Sequence, residues 1–123
     1  MTKLTLALLS LTLATTQAFA ECAQPESPAM PDGATGSMED MLAGQKSVKT
    51  FQEANVDYMK CLEVAFTAAE AAAEKGTDEE KAAAKEAYTS GMDAYNDAVS
   101  QEEAAADQFN VEIRDYKAAN PPS

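Results

Sequence analysis

The sequence predicts an all-α fold: a long antiparallel helical hairpin with an extended, proline-rich N-terminal strap disulfide-bonded to the first helix. Three observations carry that prediction. Two long, proline-free stretches rich in helix formers meet at a single Gly76-Thr77 break. Three prolines, at 25, 28 and 31, crowd ahead of the first stretch. The two cysteines are divided between these parts, Cys22 before the prolines and Cys61 deep in the first stretch.

The chain has 123 residues. Its first 20 read as a secretory signal peptide, with Lys3 as the positive start, Leu4 to Ala14 as the apolar run and Ala18-Phe19-Ala20 as a small-x-small cleavage site. Cleavage leaves a chain beginning at Glu21, one small domain, expected to be exported and either periplasmic or secreted. Lipidation at Cys22 is a second reading, against which stands Glu21, where a small residue is required. No second apolar stretch follows, so no stable membrane insertion is expected after cleavage.

The formal net charge is −12, and losing Lys3 makes the remaining chain more negative still. Phosphates and anionic lipids would repel such a surface, which argues against nucleic acid and membrane partners. It favours a basic protein partner or loose association with divalent cations. Histidine is absent, which removes the commonest general base and metal ligand. No nucleophile with base and orienter, phosphate-cradling glycine loop or zinc cluster can be read. The expectation is therefore a non-enzyme with no cofactor, no catalytic residue and no dedicated metal site.

Residues 21–36 should be extended, because the prolines fix φ and remove donors, with Pro31-Asp32-Gly33 as a turn. Residues 37–123 form the hairpin. Ser37 is a good N-cap for a helix over about 38–75, with Glu39 and Asp40 in its first turn and Gly76 as its C′ residue. Thr77 and Glu80 form a capping box opening a helix over about 78–119, which Asn120-Pro121-Pro122 stops. With so short a connection the helices must fold back on each other.

Tyr88, Tyr95, Phe109 and Tyr116 share one heptad column, interrupted by Glu102. Met92, Val99, Ala106 and Ile113 form the column four residues on, completing a stripe. The first helix answers with Met41, Val48, Phe51, Tyr58, Leu62, Ala65, Ala69 and Ala72. A turn centred on 76 and 77 pairs residues whose numbers total about 153, setting Gly44 opposite Phe109 and Gly91 opposite Leu62. The alanine-rich tip buries little, and a two-helix core is one-sided, so something else must cover it.

Cys22 and Cys61 most simply form a structural disulfide. Fifteen residues of polyproline-like chain span about 46 Å, enough to double back along the first helix, which rises about 36 Å between Ser37 and Cys61. A redox-active pair and an intermolecular bond are the other readings. Asp93/Asp97 and Glu103/Asp107 place carboxylate pairs on helix faces, which read as solvated surface or as weak cation sites. Glu102 reads as a buried carboxylate, a stripe-edge residue or the place where the strap ends. Asn55 interrupts the first helix's stripe as a candidate partner for it, a pair that would fix register.

Pro28-Ala-Met-Pro-Asp-Gly33, Glu39-Asp-Met41, Gln45-Lys46, Val48-Lys49 and Tyr58-Met-Lys-Cys-Leu62 together resemble a pattern in short exported proteins of Gram-negative bacteria. That uncharacterised family joins a signal peptide and a proline-rich start to a second cysteine late in a long helix. The resemblance covers about residues 22–62 and implies a periplasmic setting and nothing catalytic.

The expected role is contact with proteins, as a homo-oligomer or with a protein partner, across a surface including Phe66, Tyr88, Tyr95, Phe109 and Tyr116. Ala54, Val56, Val64 and Val111 extend an apolar edge that one partner helix cannot cover, and pairing two hairpins into a four-helix bundle would bury it. The alternatives are a periplasmic binding or chaperone-like module and weak divalent-cation binding by the acidic faces.

Overall fold

Two hydroxyl caps start the two helices, α1 (Met38–Ala73) and α2 (Asp78–Ala119), which run antiparallel as a hairpin in the computed structural model. The structure describes residues 22–123. The signal-peptide reading of residues 1–20 and the new terminus at Glu21 lie outside the described residues.

Thr77 accepts the Glu80 N–H while the Glu80 carboxylate accepts the Thr77 N–H at 2.7 Å, the expected box. Ser37 and Asp40 form a second box with the same 2.7 Å return bond. These bonds hold both carboxyls below the ordinary carboxylate range. The Ser37 hydroxyl contributes most at Asp40, and the Thr77 N–H most at Glu80. A pKa lowered by folding contributes stability above its unfolded value and loses it as pH falls through the folded one. The stability gap between the native chain and a D40A/E80A variant should therefore shrink as pH drops below about 4. Melting curves of both between pH 6 and pH 2 check this, and a constant gap would remove the carboxylates from the caps.

α1 ends two residues earlier than expected. Its last turn tightens, with the Glu74 and Lys75 N–H groups reaching back three residues to Ala71 and Ala72. Gly76 then takes the one positive φ among the described residues, +93°, which only glycine adopts without strain.

On α1 the buried positions Met41, Gly44, Val48, Phe51, Asn55, Leu62 and Ala65 follow alternating steps of three and four, with half-buried Tyr58 between Asn55 and Leu62. On α2 the buried residues are all small: Gly91, Ala98 and Ala105, one heptad apart. The aromatic column and the Met92, Ala106 and Ile113 column flank this seam and are half-buried. Val99, expected in the stripe, is exposed, and so is Ala72 at the tip. The centre of the α2 face is thus not the column of large residues. Small side chains let the backbones approach, and large ones straddle the seam. The expected register holds at Gly44, where a Cβ would lie 3.2 Å from the Phe109 ring. It also holds at Asn55, which bonds to the Ala98 carbonyl.

The strap covers the flank of α1. Cys22 is bonded to Cys61 with their Cα atoms 5.6 Å apart, so the pairing lies within one chain. At the strap's other end a Cβ on Gly44 would be 2.6 Å from the Pro31 ring. The chain then turns between Asp32 and Gly36, slightly later than expected, closed by a Gly36 N–H donated to the Asp32 carbonyl at 2.7 Å. The Asp32 carboxylate accepts from Ala34 and Thr35, and the Gly33 N–H donates to the Glu112 carboxylate at 2.8 Å. The strap is therefore tied to both helices.

Candidate functional site

Three places combine polar chemistry or exposed apolar surface. The first is the open end of the hairpin, where α1 begins and α2 ends. Met38 and Leu42 are 56% and 58% exposed. With Met41, Phe109, Ile113 and Tyr116 they line a groove of about 260 Å³, rimmed by Gln45 and Lys117. Of the expected interaction residues, this end gathers Phe109 and Tyr116.

The other three expected aromatics meet nearer the tip. Phe66 stands edge-on to Tyr88 and Tyr95, with ring centroids 5.9 and 6.0 Å away and planes near perpendicular. Edge-to-face pairing adds to the burial energy. Phe66, expected on the uncovered apolar edge, is half-buried by these two tyrosines, whereas Val64 beside it is 73% exposed.

The second place is the interior polar pair. Asn55 is fully buried, and its Nδ2 donates to the Ala98 carbonyl at 2.9 Å and to the Glu102 carboxylate at 3.2 Å. Glu102 is half-buried. Its interruption of the aromatic column thus has a structural partner, as the spacing suggested. Asn55 Oδ1, however, is buried without a hydrogen-bond partner among the described residues. Such an orphan costs about 1–3 kcal/mol. Asn55→Leu is expected to leave the melting temperature unchanged or raise it. It should also loosen the register, seen as broadened amide spectra for residues 51–62. A clear loss of stability would mean that the two Nδ2 bonds outweigh the orphaned oxygen.

The third place is an open cleft of about 420 Å³ between strap and α1, walled by Pro25, Pro28, Thr50, Phe51 and Ala54 with Lys46 at its edge.

The acidic pairs are less organised. Asp97 accepts a 2.7 Å bond from Gln101, and Asp93, Glu103 and Asp107 are exposed. Among the described residues no three Asp, Glu, His or Cys side chains gather in a metal-binding group. The one ion pair among them, Lys60–Asp57 at 3.7 Å, is exposed on both sides and contributes little. No described helix is long and apolar enough to cross a membrane. Compared with protein-family models, curated proteins and solved structures, the chain matches none.

Sequence reasoning named the aromatics but missed Met38 and Leu42 as surface. The available signal was the α1 stripe itself, which begins at Met41 and leaves Met38 and Leu42 to either side of it.

Proposed function

We propose that this chain is an exported, non-enzymatic protein that acts through protein–protein contacts, with a second copy of itself as the occupant of its open end. The exposure of Met38 and Leu42 at the mouth of an apolar groove carries the reading. Isolated surface apolar residues are ordinary, but a clustered, concave set marks a contact site. A disulfide in so small a chain fits an oxidising compartment, and the N-terminal pattern supports export.

The test is the solution mass of the exported chain at low and high salt. Dimerisation strengthened by salt is expected, because two bodies of like charge repel at low ionic strength. M38E/L42E should return the monomer while keeping the helix content. A native monomer at every salt concentration would remove self-association and move the reading to the binding-module alternative.

A further inference from the structure

The strap meets α1 with a period of three. Cys22 is buried and Pro25, Pro28 and Pro31 are half-buried; of the residues between them Ala23, Gln24, Glu26, Ser27 and Ala29 are exposed and Met30 alone is half-buried. Three residues per turn is the period of polyproline II, which sets every third side chain on one face. Length agrees. The strap spans nine steps from Cys22 to Pro31, about 28 Å in that conformation. The facing stretch of α1, from Cys61 back to Gly44, rises about 26 Å.

Backbone pairing plays no part in seating it. Among the described residues, no N–H of residues 22–30 donates to either helix. The strap is held by a covalent bond at one end and the Gly33–Glu112 bond at the other, and its proline rings rest on α1 between them. Recognition of rings rather than backbone, beside an aromatic side chain, is how proline-rich ligands are bound elsewhere. The cleft beside Phe51, Thr50 and Ala54 shows that the strap fills the face incompletely.

From this we infer that the α1 face under the strap is a docking site for proline-rich segments with prolines three residues apart. The chain's own residues 25–31 occupy it while the disulfide is closed. The partner is a protein presenting such a segment. A dithiol opens the site by exchange: the Sγ–Sγ bond breaks, Cys22 and Cys61 each take a hydrogen, and the dithiol becomes a disulfide. Opening lowers the effective concentration of the tethered strap and lets a segment in trans compete. This role rests on the protein-contact reading, but it uses a face apart from the open end.

The probe is a labelled synthetic peptide of residues 23–35, with an analogue whose three prolines are alanine. Binding is read by fluorescence anisotropy against the oxidised whole chain, the dithiol-reduced chain, and a reduced P25A/P28A/P31A chain. The proline peptide is expected to bind the reduced triple variant most tightly, the reduced native chain less, and the oxidised chain not at all. The alanine peptide should bind none. Ala54→Glu, at an exposed helical position on the cleft wall, should abolish binding without loss of helix content. No binding to the reduced triple variant while it stays helical would overturn the inference, as would equal binding of both peptides. A doubled mass on reduction that the peptide reverses would overturn it in favour of strap exchange between copies. Salt-dependent dimerisation of the oxidised chain reports on the open end alone, so the two readings fail separately.

Discussion

Replacing Cys22 and Cys61 together by serine is expected to lower the melting temperature by roughly 15 to 20 °C while leaving the helix content at low temperature nearly intact. The bond closes a loop with a sequence separation of 39. In the chain-entropy model, closing such a loop contributes about 4 kcal/mol, and in a chain of this size each kcal/mol moves the melting temperature by about 4 °C or more. The effect is large because the core is thin. Beyond the buried seam, most of the hairpin surface faces solvent, so few contacts compete with the clasp. Calorimetry of the native chain and the double variant checks this. A fall of only a few degrees would show that the prolines already stiffen the unfolded strap, leaving the disulfide little entropy to remove.

Leu62→Ala is the second large effect, an expected loss of about 2–5 kcal/mol. Leu62 is 1% exposed and follows directly on the cysteine that anchors the strap, at the middle of α1. Truncation there leaves a cavity where neither helix can readily collapse inward. Val64→Ala, two residues on and 73% exposed, should cost almost nothing. Urea midpoints of both variants give the comparison, and similar costs would place the centre of the core elsewhere. Combined with the double serine variant, Leu62→Ala should be non-additive, since neighbouring sites couple.

The elements whose signals are local were legible. Thr77 with Glu80, Gly76 at the turn and the prolines before Ser37 each act through their own backbone, and the structure places each helix start where they indicate. Register was also legible, because a short connection leaves one way to pair Gly44 with Phe109. The centre of the α2 face was not. Gly91, Ala98 and Ala105 carry little hydrophobic weight, so a reading that follows large side chains settles on the columns beside them. The Ser37–Asp40 box was half visible, as an N-cap and a dipole-favoured charge, because Asp must reach further than Glu to close it. The candidate surfaces were least legible. Whether Met38, Leu42 or Phe66 is covered depends on which α2 side chains lean over them, and that is not encoded near those residues.

The strap's lack of backbone partners separates two properties that folded segments usually share. Order and protection from solvent exchange normally rise together, because the same hydrogen bonds supply both. Here a covalent bond and proline rings hold residues 22–30 in place, while their amides face no internal acceptor among the described residues. In deuterated water those amides should exchange almost as fast as in an unfolded peptide. Relaxation measurements should nonetheless find the same residues as still as the helix beneath them. A map of exchange alone would mistake this segment for a loose tail.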